Sequence, residues 1–177
     1  MRTERVLAAA GLLLALGLVG ATLVAAGVLP PAFLGSPPAD DDYDRTAVVV
    51  SDENGTELGR VEARIADTRQ KRYTGLSNTS SLPEDEGMLF VHDDPQSLTY
   101  VMRGMDFGID IVFVAENGTV TGIEHAPEPP EGEDGNDYRY TGEGKYVLEV
   151  NYDWTTRHGV TVGDRVHAEG VGLERSE

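Results

Sequence analysis

The stretch YVMRGMDFGIDIVFV, residues 100–114, predicts two apolar strand segments joined by a short loop. It also carries three charged residues, Arg103, Asp106 and Asp110. Asp110 stands among residues that are apolar on both sides of the pleat, where a carboxylate is rarely buried without a partner. We therefore predict that Arg103 and Asp110 lie close together, the guanidinium either closing the loop through an ion pair or holding an anionic ligand. With Met102 and Asp106, this pair forms the candidate ligand-binding site.

Other runs of strand length lie on both sides of this stretch: TAVVV, ELGRVEARIA, GMLFVH, SLTYVM, IDIVFVA, VTGIEHA, KYVLEVN and the closing VTVGDRVHAEG. The first two form a hairpin, the tripeptide DDP separates GMLFVH from SLTYVM, and residues 126–144 form an acidic loop. Two short helices are expected, RQKRYTGL capped by Asp67 or Thr68, and DWTTRH ended by Gly159. This order predicts a mainly β fold, a compact single-domain barrel or sandwich with two short helices.

An uncharged apolar run, Val6–Leu29, follows the short N-terminal segment of residues 1–5. It is long enough for a transmembrane helix, which needs about 20 residues, and it exceeds the roughly 7 to 15 residues of a signal-peptide core. Arg2 and Arg5 place the N-terminus in the cytoplasm by the positive-inside rule, so the rest of the chain faces outward. The alternative is a signal peptide cleaved after VAA at residues 24–26, which would make the protein secreted.

Beyond the apolar run, the sequence divides into three parts. Residues 30–44 form an acidic, proline-rich linker, residues 45–170 an outer β domain, and residues 171–177 a tail. Three acceptor sequons for glycosylation, at Asn54, Asn78 and Asn117, agree with an exterior location. Two of these sequons are also Asn-Gly turns, which explains their residues without a glycan.

The composition excludes several classes of function. The net charge is -17, from 31 acidic and 14 basic residues, so the chain would repel the phosphates of nucleic acids. The chain has no cysteine, which removes disulfides and thiol chemistry. An acidic, lysine-poor surface is typical of proteins that work in concentrated salt, where screening removes self-repulsion, and we interpret the chain as halophilic.

Six segments, in order, resemble the uncharacterised family called domain of unknown function 192. They are Arg72 with Gly75–Leu76, LPEDEGMLFV from Leu82, the Met102–Asp110 loop with DIVF, Val120 with Ala126–Pro127, YVLEV from Tyr146, and GVTVGDRV from Gly159. The resemblance covers roughly residues 46–168 and implies a compact, mostly β domain, often behind a signal or membrane segment. It implies no established activity. Where the family usually has aromatic-Trp-Met-Lys-Asn-Thr, this chain has YVMRGM, which keeps the cation as Arg103 and loses the two polar neighbours.

The sequence has no G-x-S-x-G nucleophile motif and no complete phosphate-binding loop, and we expect neither a cofactor nor a metal. Neither His92-Asp93-Asp94 nor Glu124-His125 has the spacing of a metal site on a helix. The favoured interpretation is a membrane-anchored, non-enzymatic domain that binds a small ligand or an envelope component. One alternative is a hydrolase, which would need two carboxylates of Asp106, Asp110, Glu124 and Glu149 in one cleft. The other is a structural envelope module, which would have no pocket.

Overall fold

A computed structural model describes residues 38–174, and the predicted membrane segment, most of the linker and the last three residues lie outside this range. The described chain is mainly β. Its strands are β1 Arg45–Ser51, β2 Glu57–Ala66, β3 Glu86–Val101, β4 Ile109–Val114, β5 Val120–Ala126, β6 Arg139–Asn151 and β7 Arg165–Ala168, and its α-helices are α1 Arg69–Thr74 and α2 Trp154–His158. Neither helix has the length and hydropathy that a membrane crossing requires. The predicted first hairpin and both predicted helices are confirmed.

The strands form one sheet in the order β5-β4-β6-β3-β2-β1-β7. Neighbouring strands are antiparallel except β2 and β3, which are parallel. A parallel pair needs a crossover, and α1 with the loop after it supplies that connection. The two edges meet through a bridge between Thr119 and Arg165 and a hydrogen bond of 2.8 Å from Val120 N to Asp164 O. The single sheet therefore curves into a half-barrel that brings its two edge strands into contact. Of the two expected architectures, this fold resembles the barrel and not the sandwich of two sheets.

Two strands are longer than the sequence indicates. GMLFVH and SLTYVM belong to one strand, β3, whose register against β6 shifts between Val91 and Gln96, so an irregularity absorbs the DDP segment that was expected to separate them. The acidic loop ends before Arg139, where β6 begins, and not at Gly144. Gly142 lies inside β6, at a position that requires glycine because a Cβ there would collide with the ring of Phe113.

Each face of the sheet carries its own hydrophobic core, because strand residues alternate between the two faces. Val112 and Val114 of β4 pack on one face, in the Trp154 cluster, whose other large members are Leu89, Tyr146, Leu148 and Leu173. Ile111 and Phe113 pack on the opposite face, in the Phe90 cluster, with Leu76, Leu82, Met88, Leu98, Met102, Ile109 and Val147. All six residues of β4 are buried, so any polar side chain on this strand needs a partner.

The excess of carboxylates predicts that the fold depends on salt. Ion pairs such as Lys145–Glu116, at 2.8 Å, involve exposed carboxylates, and most acidic residues have no cation to offset them. We expect the thermal unfolding midpoint to rise between dilute and molar sodium chloride, because screening weakens the self-repulsion of the compact state. An isosmotic series in glycerol is the control, and an identical midpoint at both salt concentrations would contradict the halophilic interpretation.

Candidate ligand-binding cavity

A cavity of about 280 Å³ lies on the Phe90 face of the sheet, against α1 and the loop that follows this helix. The crossover between β2 and β3 places α1 there, so the cavity is a consequence of the parallel strand pair. Its walls combine apolar side chains with a few ionisable groups. The lining residues are Arg72, Tyr73, Thr74, Gly75, Leu76, Ser77, Phe90, His92, Leu98, Thr99, Tyr100, Val101, Arg103, Met105, Ile109 and Glu149.

Glu149 provides a buried carboxyl group in the wall of the cavity. It lies on β6 directly between Ile111 of β4 and Met88 of β3, on the Phe90 face, and only 5% of its surface is exposed. Burial raises its pKa from 4.5 to about 8, although the positive charge of Arg64 opposes the shift. Among residues 38–174 its side chain forms no hydrogen bond or ion pair. A buried carboxyl without a partner is uncommon and marks a site that another molecule can complete.

Tyr100 and His92 form a neutral pair beside this carboxyl group. The Tyr100 hydroxyl and His92 Nε2 share a hydrogen bond of 3.0 Å, and the Tyr100 ring packs edge-on against Phe90 at 4.9 Å. Burial, and then the charge of Glu149, raises the pKa of Tyr100. Burial, and then the charge of Arg72, lowers the pKa of His92. Both side chains are therefore uncharged at neutral pH.

Arg72 contributes a positive charge from α1. Its Nη1 donates to the carbonyl oxygens of Asp67 at 2.6 Å and Val91 at 2.7 Å, which fastens the helix to β3. Both bonds use one nitrogen, so Nε and Nη2 have no hydrogen-bond partner among the described residues. Arg72 therefore retains donors for a bound anion.

Arg103 contributes a second positive charge from the loop between β3 and β4. Its guanidinium lies over the Tyr73 ring, 4.1 Å from the centroid, and Nη2 donates to the Tyr73 carbonyl oxygen. These contacts hold the loop against the end of α1 and fix the orientation of the guanidinium plane. Arg103 is half-buried and so lies closer to solvent than Glu149.

The predicted Arg103–Asp110 pair is not formed, because the two side chains lie on opposite faces of the sheet. Asp110 faces the Trp154 cluster and is fully buried. Its Oδ1 accepts hydrogen bonds from Asp153 N at 3.0 Å and His125 Nδ1 at 2.7 Å. Its Oδ2 accepts from Thr155 N at 2.8 Å and Thr155 Oγ1 at 2.5 Å. The expectation that Asp110 is buried with partners is correct, but those partners are His125 and the start of α2.

The other predicted site residues are separated from the cavity as well. Met102 is buried in the Phe90 cluster, and its backbone N donates to Gly135 O at 3.0 Å. Asp106 is exposed, and neither residue lines the cavity. Of the four candidate ligand-binding residues, only Arg103 is part of the cavity wall. The sequon residues Asn54, Asn78 and Asn117 are all exposed.

The sequence analysis did not predict that three ionisable residues of the cavity, Arg72, His92 and Tyr100, could bind a ligand. It considered Glu149 only as one of a pair of catalytic carboxylates. A signal was available for Glu149, which interrupts the apolar run YVLEV in the way that Asp110 interrupts IDIVFV. That hydrolase interpretation gains no support, because Asp110 and Glu149 lie on opposite faces of the sheet. Glu124 shares the face of Glu149 but is exposed, with Ile111 of β4 between them.

Asp110, His125 and Asp153 form a cluster of the type that can hold a metal ion, with ligand atoms within 4.8 Å of one another. His125 and Asp153 are exposed, while the carboxylate of Asp110 already accepts four hydrogen bonds. Three of those bonds position the start of α2 against β4, and the fourth, from His125, joins β5 to β4. Of the sequence candidates His92-Asp93-Asp94 and Glu124-His125, only His125 belongs to such a cluster among residues 38–174.

Comparison with known proteins gives a family and two related folds. The model of domain of unknown function 192, described as an uncharacterized ACR, matches residues 49–168. A crystal structure of a candidate transcription regulator from Sinorhizobium meliloti 1021 has a TM-score of 0.64 and 25% identity, over 72% of this chain and 96% of that one. The crystal structure of a protein of unknown function from Novosphingobium aromaticivorans DSM 12444 has a TM-score of 0.62 and 26% identity, over 80% of this chain and 99% of that one. No curated protein matches the chain.

Proposed function

Because the chain belongs to the family of domain of unknown function 192, which is described as uncharacterized, we propose its function from its own cavity: the domain binds a small organic anion. The proposal depends on one observation: two arginines and a buried carboxyl group without a hydrogen-bond partner among the described residues line the same cavity. Arg72 and Arg103 both line the cavity, in a chain whose net charge is -17. Two guanidiniums that face one concave space favour a carboxylate or phosphate.

The rest of the wall supports an organic ligand with an apolar body. Phe90, Leu98 and Ile109 line the cavity, and all three are buried members of the Phe90 cluster. A cavity of about 280 Å³ lies just below the usual range for ligand sites, roughly 300–1,000 Å³. The proposed ligand is therefore small, an anionic group attached to a single ring or a short chain.

Arg103→Gln tests this proposal. The protein is titrated with 3-phenylpropionate, a small carboxylate with an apolar ring, and binding is followed by calorimetry. We expect the dissociation constant to rise about 10- to 100-fold, because hydrogen bonds to charged groups contribute roughly 1.5–3 kcal/mol. Arg60→Gln removes the same charge from an exposed ion pair with Glu57 outside the cavity and serves as the matched control. Equal losses in both variants, or none in either, would overturn the assignment.

A role in binding DNA has no support from this chain. One structural neighbour is a candidate transcription regulator, but the present chain has a net charge of -17. Since DNA affinity depends on neutralising phosphates with lysine and arginine, the acidic surface opposes such a role. Sensing a small ligand is the part of a regulatory function that the cavity supports.

We also propose that the apolar run at residues 6–29 crosses the cell membrane and anchors the binding domain on its outer side. The length of this run and the two arginines that precede it support an uncleaved helix with a cytoplasmic N-terminus. We expect mass spectrometry of the mature protein, taken from the membrane fraction, to find the complete N-terminus. A mature chain that starts near Gly27 and is recovered outside the cells would show instead that the run is a cleaved signal peptide.

A further inference from the structure

We propose that Glu149 enters the cavity as a neutral carboxylic acid and donates its hydrogen to the bound anion, so that the cavity takes carboxylates and rejects their amine-bearing counterparts. This inference rests on the proposed function and specifies its ligand class. It assigns to Glu149 the role of a specificity-determining donor.

The Glu149 carboxyl has no hydrogen-bond partner within residues 38–174 and lies in the wall of the cavity. The residue is 5% exposed, lines the cavity, and forms no hydrogen bond with any other described residue. A polar group in this position has little contact with water and gains no hydrogen bond within the described part of the protein. A ligand oxygen in the cavity would restore the missing hydrogen bond.

Charged and titratable groups from several elements surround Glu149. They are Arg64 on β2, Arg72 on α1, His92 and Tyr100 on β3, Arg103 in the loop before β4, and Glu124 on β5. Arg64 favours an ionised carboxyl, but desolvation outweighs its effect and raises the pKa of Glu149 to about 8. At neutral pH the group therefore keeps its proton and acts as a donor.

The positive charges in the cavity wall exclude a cationic ligand group as the partner of Glu149. An ammonium placed against Glu149 would share a small cavity with Arg72 and Arg103, both of which repel it. A carboxylate has about four acceptor positions, enough to bind guanidinium N–H groups and one acid O–H together. Such O–H···O⁻ bonds are short and strong, so one carboxylate satisfies both arginines and Glu149.

The test uses two ligands that differ only by an amino group, 3-phenylpropionate and phenylalanine, at constant ionic strength. At pH 7 we expect phenylalanine to bind at least tenfold more weakly. Binding of 3-phenylpropionate should weaken about tenfold between pH 7 and pH 9, as the Glu149 proton is lost. Glu149→Gln keeps an N–H donor that does not titrate, so its affinity should be the same at both pH values. Phenylalanine binding tighter than 3-phenylpropionate, or an affinity of the wild type that does not change with pH, would overturn the inference.

A second measurement needs no ligand. Infrared difference spectra of the ligand-free protein between pH 7 and pH 9.5 should show the C=O band of one protonated carboxyl disappearing, and Glu149→Gln should lack this band. If the band is absent at pH 7 while 3-phenylpropionate still binds through Arg103, the inference fails and the proposed function stands. If the wild type binds 3-phenylpropionate at neither pH, both fail.

Discussion

Asp110→Ala should lower the free energy of unfolding by about 3 to 5 kcal/mol. The substitution removes an acceptor of four hydrogen bonds from a fully buried position. It leaves the backbone N–H groups of Asp153 and Thr155 without a partner at the start of α2. Urea unfolding of the wild type and the variant measures the loss, and Asp110→Asn, which keeps the shape, should lose less.

Double-mutant cycles identify the partner of Asp110. Asp110→Ala and Thr155→Val should show an interaction energy of about 1 to 3 kcal/mol, because the Thr155 hydroxyl donates to Asp110 Oδ2 at 2.5 Å. Asp110→Ala and Arg103→Ala should be additive within about 0.5 kcal/mol, because these side chains lie on opposite faces of the sheet. Strong coupling between Asp110 and Arg103 would contradict the described fold.

The second large effect is a loss of stability with rising pH that depends on Glu149. Below its ordinary pKa of 4.5, the carboxyl is protonated in both the folded and the unfolded chain and contributes nothing. Between 4.5 and about 8, the unfolded chain ionises while the folded chain keeps the proton, so stability falls by about 1.4 kcal/mol per pH unit. Above about 8 the loss is complete, on the order of 3 to 5 kcal/mol.

Glu149→Gln isolates this contribution from the other carboxylates. The variant should be increasingly more stable than the wild type from about pH 5 to about pH 8, with a constant difference above that range. The measurement is urea unfolding of both proteins at each pH and at fixed ionic strength. A difference in stability that is constant from pH 4 to pH 9 would mean that folding does not shift the pKa of Glu149. If the wild type instead gained stability relative to the variant as the pH rises, folding would lower that pKa and not raise it.

The local pattern was enough to predict most of the strands and both helices, because alternation and capping depend on residues close in sequence. The α1 helix illustrates this: Thr68 accepts a hydrogen bond from Lys71 N at 3.2 Å, and Gly75 ends the helix with a φ of 51°. The joining of two predicted strands into β3 was missed, since an Asp-Asp-Pro segment normally signals a turn. Only the pairing with β6 shows that this segment lies within a strand.

The site was harder to predict because it depends on which face each residue occupies. Sequence proximity suggested that Arg103 pairs with Asp110, but the pleat turns Asp110 toward α2, whose Thr155 lies 45 residues further along the chain. The cavity forms only when the crossover between β2 and β3 brings α1 over the face that carries Glu149. Neither relation has a local signal, although a lone carboxylate in the apolar run YVLEV indicates that its position is unusual.

A crystal structure of the protein with 3-(4-bromophenyl)propionate would show where the ligand binds, because anomalous scattering locates the bromine without assumptions. We expect the bromine against Phe90 and Leu98, with the carboxylate bonded to Arg72 and Arg103 and an oxygen within hydrogen-bond distance of Glu149. The same experiment on Arg103→Gln should show little or no bromine signal in the cavity. A wild-type cavity without bromine at ligand concentrations that saturate binding in solution, or bromine at another surface, would contradict the assignment.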